Sequence, residues 1–179
     1  MTAAAITNRP ESSEYPPYAE GYISLVPNGS IVGILSQQLD ETLALIKSIP
    51  DARHDWRYAE GKWSVKELIG HVIDSERVFA YRALRFGRGD STPLAGFEQD
   101  DFVKGATFSE RSLSDLAEEY EHVRRATISL FANFDEEALS RRGSANNSEV
   151  SVRALAFMMA GHERHHVEIL RTRYLSSEG

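Results

Sequence analysis

Histidines cluster near the end of the chain, where three of the six stand between positions 162 and 166. The surrounding sequence has the 3.6-residue periodicity of a buried helix. On that helix His162 and His166 lie one turn apart at the centre of the apolar arc, and His165 lies at its edge. Two imidazoles at i and i+4 on an inward face are a metal-binding geometry, and without a shared ligand their buried ring nitrogens would need other partners. The pair therefore predicts a metal site.

The third ligand of such a site has to come from another helix. His71 borders the apolar face of an earlier predicted helix. His54 stands in a predicted loop, and His122 points away from the apolar face of its own helix. His165 can replace a neighbouring ligand or support one, but its edge position makes it the second choice. The residues alone therefore favour His71.

The chain also matches the Glu-x-x-His pattern of di-iron carboxylate bundles twice, at Glu119–His122 and Glu163–His166. A di-iron site needs both motifs to face inward and a glutamate from each of the other two helices. Because His122 points outward and the first helix has no acidic residue at the centre of its apolar stripe, this site is not expected. Glu163 is expected to face solvent. The alternative is that its carboxylate interacts with one of the metal ligands and supports it.

Arg82 stands three helical turns beyond His71 on the same border of the apolar face. Two roles fit this position. The guanidinium can bind an anionic group of a substrate, such as a carboxylate, or it can form an ion pair with Glu67 or Asp74. The sequence leaves both open.

Composition narrows the classes of function. The 179 residues carry a net charge of −7, with basic and acidic residues interspersed, so neither nucleic acid nor an anionic membrane is an expected partner. The absence of cysteine excludes disulfides, thiolate metal ligands and a cysteine nucleophile. No apolar run reaches about 18 residues, and the stretch Met1–Ile6 lacks the features of a secretion signal. A cytoplasmic protein is expected.

Four amphipathic helices, each with a capping residue, account for most of the sequence. They are predicted to start at Asn28 or Ser30, at Ser64, at Ser112 and at Ser151, and to end before Pro50, near Gly87, after Phe134 and near Tyr174. The long connection 88–111 predicts a crossover, so the second and third helices should run parallel. No strand pattern is present, and 141–149 is predicted to be a polar loop. The fold expected is an all-α four-helix bundle spanning 29–176, preceded by a proline-rich, non-helical, extended arm at 1–28.

Two motifs about ninety residues apart resemble the DinB family, a superfamily of metal-binding four-helix bundles. The first is Trp63-Ser64-x-Lys66-Glu67-x-x-Gly70-His71, followed by Asp74-Ser75-Glu76-Arg77 and Tyr81-Arg82; the second is Gly161-His162-Glu163-Arg164-His165-His166. The crossover segment 94–101 also resembles one branch of the family. The resemblance covers about residues 25 to 175.

The resemblance implies an up-down-down-up bundle with one divalent metal, usually zinc or nickel, on His71, His162 and His166. It also implies a homodimer and relatives that are S-transferases or isomerases using bacillithiol or mycothiol. Three neutral imidazoles leave coordination positions open, as in catalytic sites. We therefore expect a metal-dependent thiol S-transferase that acts on small electrophiles with a low-molecular-weight thiol. A metal-dependent hydrolase and a non-enzymatic metal-binding stress-response module remain the alternatives.

Overall fold

Four long helices form the body of the protein in a computed structural model that describes residues 8–176. They are α2 (Ile31–Ser48), α3 (Val65–Gly87), α5 (Leu113–Ala132) and α7 (Val152–Ile169), the last continued by a π-helical turn at Leu170–Tyr174. Each begins after a serine whose hydroxyl accepts a hydrogen bond from a backbone N–H in the first turn, at Ser30, Ser64, Ser112 and Ser151. The predicted helix starts are therefore confirmed. The stretch Met1–Ile6, predicted to lack a secretion signal, lies outside the described residues.

Contacts between helix ends establish the relative directions of α3, α5 and α7. The Lys66 ammonium donates to the Ser109 carbonyl just before α5, and Gly87 at the far end of α3 lies against the Phe134 ring just after α5. Helices α3 and α5 therefore run parallel, as the long connection predicted. At the end of the π-helical turn Tyr174 donates to the Trp63 carbonyl just before α3, so α7 is antiparallel to α3.

The remaining elements are short. The crossover contains α4 (Gln99–Gly105) and a 3₁₀ turn, and α6 (Glu136–Ser140) follows α5. The predicted polar loop 141–149 is instead a hairpin of β1 (Arg142–Ala145) and β2 (Ser148–Ser151). Its two turn residues, Asn146 and Asn147, have φ of 51° and 58°, a left-handed conformation that asparagine tolerates.

The N-terminal arm is helical in part, so the prediction that it lacks helix was wrong. Two 3₁₀ turns lead into α1 (Glu20–Ile23), which packs along α7. A Cβ at Gly161 would stand 2.0 Å from the Tyr22 carbonyl oxygen, so only glycine permits this close approach of α1 to α7. Glu14 accepts hydrogen bonds from Arg153 (2.7 Å) and Ser151 (2.7 Å) and ties the arm to the start of α7.

Buried polar side chains divide the apolar core into two clusters. One cluster is formed by residues from the starts of α2 and α7 and from the ends of α3 and α5. The other is formed by residues from the ends of α2 and α7 and from the starts of α3 and α5. The layer between them comprises Gln38, Thr42, Glu76, Arg124, Thr127 and Glu163 with the three histidines, all at most 9% exposed. Along the described residues, no helix is long and apolar enough to cross a membrane.

Candidate metal centre

His71 from α3 converges with His162 and His166 from α7. The Nε2 atom of His162 lies 3.1 Å from that of His71 and 3.2 Å from that of His166, and one ring nitrogen from each falls within 4.8 Å of the others. Tetrahedral zinc with Zn–N bonds of about 2.0–2.1 Å separates its nitrogen ligands by about 3.3–3.4 Å. The two short N···N distances are close to this spacing, so the three predicted ligands fit a shared ion.

Burial keeps these imidazoles in the form that binds metal. Their exposed fractions are only 3%, 7% and 9% for His71, His162 and His166. Burial lowers the pKa of His71 to about 4, against a partly opposing effect of Asp100. Burial, with the neighbouring histidines, lowers the pKa of His166 to about 3 and that of His162 well below its usual value. All three are neutral near pH 7 and offer lone pairs.

Neighbouring side chains hold the imidazole rings in place. The His71 Nδ1 atom lies 3.5 Å from the Ser75 hydroxyl one turn later, which leaves Nε2 facing the other histidines. The Trp63 ring lies 4.6 Å from the His71 ring, and the Tyr22 ring meets that of His162 edge-on at 5.4 Å, both between centroids. Trp63 stands in the first of the two motifs that resemble the DinB family, and Tyr22 belongs to the arm. Sequence spacing carried no signal that either would reach the metal centre.

A cavity of about 290 Å³ adjoins the histidines on the side of α4. His166 lines it, and the other walls combine aromatic and polar side chains: Tyr58, Trp63, Tyr174, Lys62, Gln99 and Asp100. Asp100 is exposed and lies close enough to His71 to raise its pKa. The centre therefore has an accessible side with room for a small molecule, and a carboxylate faces that side.

The other histidines do not belong to this group. His165 is half-buried, with its ring edge-on to that of Tyr22 at 5.5 Å, and it lines a larger cavity of about 500 Å³ that none of the three candidate ligands lines. His122 is exposed, which removes one of the two Glu-x-x-His motifs as expected. The His54 ring lies 3.2 Å from the Ile49 carbonyl, away from the centre.

Glu163 is 1% exposed, so the expectation that it faces solvent was wrong. Its carboxylate accepts hydrogen bonds from Arg124 (2.6 Å), Tyr120 (2.5 Å), Thr42 (2.6 Å) and Gln38 (2.9 Å). The same guanidinium binds both carboxylate oxygens of Glu76 at 2.8 and 2.7 Å. An arginine thus bridges the two buried carboxylates, and the bridge links all four long helices beside His162.

Arg82 does not form the ion pair that the sequence allowed. Glu67 pairs with Arg57 at 2.5 Å, and Asp74 pairs with Arg77 at 3.4 Å. Glu67 also forms a capping box with Ser64, accepting a hydrogen bond from the Ser64 backbone N–H at 2.6 Å. Arg82 is 7% exposed and donates to the Ala95 carbonyl at 3.0 Å.

Comparisons with known proteins agree with this architecture. The family sequence model of the DinB superfamily matches residues 34–170 of this chain. A proposed metal-dependent hydrolase of Oceanobacillus iheyensis is 26% identical over 149 residues, which cover 80% of this chain and 82% of that protein.

Three solved structures share the fold. YfiT from Bacillus subtilis, described as a probable metal-dependent hydrolase with an unusual four-helix bundle topology, aligns over 92% of both chains with a TM-score of 0.69 and 13% identity. A DinB-like protein of the same organism aligns over 79% of this chain and 86% of its own, with a TM-score of 0.57 and 23% identity. The mycothiol-dependent maleylpyruvate isomerase aligns over 81% of this chain and 61% of its own, with a TM-score of 0.64 and 16% identity.

Proposed function

Because this chain belongs to the DinB superfamily, we propose that it is a divalent-metal-dependent enzyme with His71, His162 and His166 as the metal ligands. The observation that carries this proposal is the convergence of three neutral Nε2 atoms beside an accessible cavity. Zinc and nickel are the metals proposed, since both accept imidazole ligands. An idle site would instead be closed by apolar side chains or by a fourth protein ligand. The polar wall formed by Gln99 and Asp100 favours the enzyme over the non-enzymatic binding module.

The reaction proposed first is transfer of a low-molecular-weight thiol to a small electrophile. A divalent ion on three neutral ligands keeps its full charge, and when bound it lowers the pKa of a coordinated thiol or water. The protein has no cysteine of its own, so the sulfur has to come from a cofactor. The rings of Trp63, Tyr58 and Tyr174 give the cavity apolar walls that limit the access of water. The mycothiol dependence of one structural relative supports the choice of a thiol.

Hydrolysis is the second candidate, and Asp100 is the residue that favours it. Its carboxylate faces the cavity beside His166, where it can accept a proton from a water molecule that attacks the substrate. The two relatives described as metal-dependent hydrolases support this alternative. The two reactions differ in whether an added thiol is required for turnover.

Metal content tests the site directly. We expect purified protein to retain about one zinc or nickel ion per chain by elemental analysis. The double variant His162→Ala/His166→Ala should lose the ion, whereas His122→Ala, which changes an exposed histidine, should keep it. Metal-free wild-type protein, or unchanged content in the double variant, would contradict the assignment.

A thiol screen tests the reaction. Metal-loaded protein is mixed with bacillithiol, mycothiol, glutathione or cysteine and a panel of electrophiles, and loss of free thiol is followed. We expect turnover that disappears when the metal is stripped and returns when zinc or nickel is restored. Turnover without any thiol would favour hydrolysis, and no metal-dependent turnover of either kind would favour the binding module. The homodimer implied by the family resemblance remains a prediction, which light scattering can test by measuring the molar mass in solution.

A further inference from the structure

Arg82 is a buried cation without an anionic partner in the described part of the chain. A guanidinium carries five N–H groups, and the single described hydrogen bond goes to the Ala95 carbonyl. Arginines are mostly exposed, and buried ones are usually paired. The three acids of its helix, Glu67, Asp74 and Glu76, are already paired with Arg57, Arg77 and Arg124. Most of the donor capacity of Arg82 therefore remains for water or for a ligand.

The surroundings of Arg82 suit a bound anion. Burial lowers the pKa of this side chain, but an arginine remains charged at neutral pH. An uncompensated charge in a poorly hydrated place attracts a counter-ion more strongly than an exposed charge does, because little water has to be displaced. Phe97 from the crossover lies 6.0 Å from the guanidinium carbon. The crossover and α3 thus hold the guanidinium on two sides.

The position of Arg82 relates it to the metal centre. It stands eleven residues after His71 on α3, which is about 16 Å along the helix axis, and the side chains of both residues lean toward the N-terminus of the helix. Phe79 lies between the two, with its ring 5.9 Å from that of His162. Tyr22 also packs on His162 from the arm. A ligand that reaches from Arg82 to the histidines would therefore pass aromatic side chains.

We propose that Arg82 binds a carboxylate of the substrate, so that the metal centre acts on organic acids whose carboxylate lies away from the reacting group. This inference rests on the proposed function, because it takes the metal centre as the place where the other end of the substrate reacts. A carboxylate matches the planar guanidinium, which can donate two parallel hydrogen bonds to its two oxygens. The carboxylate fixes one end of the substrate, and the aromatic side chains accommodate its apolar middle.

The test compares an acid with its neutral analogue, so it requires no knowledge of the substrate. Binding of hexanoate and of hexanamide to zinc-loaded protein is measured by calorimetry. Wild-type protein should bind the acid about tenfold more tightly, since charge-assisted hydrogen bonds exceed neutral ones by that order. Arg82→Gln should abolish the preference and Arg82→Lys should keep part of it. Arg88→Gln, at the exposed end of α3, should leave it unchanged.

Repeating the titration on metal-stripped protein separates Arg82 from the ion, because a carboxylate can also bind zinc. A preference for the acid that survives stripping and disappears in Arg82→Gln supports the proposal, even if no turnover is ever found. Equal binding of acid and amide to wild-type protein overturns it, and so does a preference that Arg82→Gln retains. If circular dichroism shows that Arg82→Gln does not fold, the proposal is judged from the acid and amide affinities of wild-type protein and of Arg82→Lys.

Discussion

Replacing Arg124 by methionine should destabilise the protein more than most single substitutions. The guanidinium is fully buried and makes hydrogen bonds of 2.8 and 2.7 Å to Glu76 and one of 2.6 Å to Glu163. Without it, two carboxylates that are at most 2% exposed lose their cation. Glu163 would keep its bonds from Tyr120 and Thr42, whereas Glu76 would lose both described side-chain bonds. Breaking a buried ion pair from one side costs about 3–5 kcal/mol.

Chemical and thermal unfolding measure this cost. For a domain of this size about 1 kcal/mol corresponds to 2–4 °C, so Tm should fall by roughly 6–20 °C. Wild type and variant are compared at the same free zinc concentration, because a metal that binds the folded state adds stability. The control is Arg125→Met, one residue away, where the pair with Glu121 is exposed and contributes little to stability. A loss below about 1 kcal/mol for Arg124→Met would refute the reasoning.

A second substitution identifies the origin of the loss. If the cost comes from an uncompensated carboxylate, then adding Glu76→Gln to Arg124→Met should restore part of the stability, because the amide removes a buried charge. Glu76→Gln alone should destabilise the protein, because the guanidinium loses one of its two carboxylate partners. A double variant less stable than Arg124→Met would show that lost packing, not charge, dominates.

Three further substitutions test how the arm and the π-helical turn are held. Gly161→Ala should displace α1 and speed amide exchange around Tyr22, since the new Cβ would stand 2.0 Å from that carbonyl oxygen; Gly21→Ala, whose Cβ meets nothing within 4 Å, is the control. Burial opposes the charge on Glu14, but its hydrogen bonds outweigh this and lower its pKa, so its stabilisation is present above about pH 4.5 and is lost as pH falls through the lowered value. The difference in unfolding free energy between wild type and Glu14→Gln should therefore be larger at pH 7 than at pH 3, and a constant difference would contradict this. Tyr174→Phe should cost about 1 kcal/mol in urea unfolding, since the hydroxyl bonds a backbone carbonyl that would lose its donor.

The helices and the histidine group were predictable because each depends on local spacing. A serine before an apolar repeat marks a helix start, and the i, i+4 pair His162 and His166 already defines a face. The helical periodicity of the second predicted helix placed His71 at the border of its apolar face. The structure places it fully inside, with 3% of its surface exposed.

What the sequence did not predict depends on contacts between distant segments. A charged residue is assigned to the outside of a helix unless its partner is known, and the partners of Arg124 lie 48 and 39 residues away. The burial of Glu163 was not predicted for the same reason, because its partners also lie far away in the sequence. The hairpin did have a local signal in Asn146 and Asn147, whose left-handed conformation suits a two-residue turn, but the flanking strands are too short to show alternation.

The buried polar layer also bears on the chemistry proposed for the metal. A carboxylate ligand would neutralise part of the charge of a divalent ion and weaken its effect on a bound thiol or water. The acids close to the histidines in sequence are engaged elsewhere or exposed. Glu163 accepts from Arg124 and three neutral donors, and Asp74 pairs with Arg77. Glu67 and Glu76 pair with Arg57 and Arg124, and Glu168 is exposed. Asp100 is the carboxylate that lines the cavity beside His166 and acts on His71, and it comes from the crossover, not from the helices that hold the ligands. The bundle therefore brings three neutral histidines together, and the crossover supplies a carboxylate beside them.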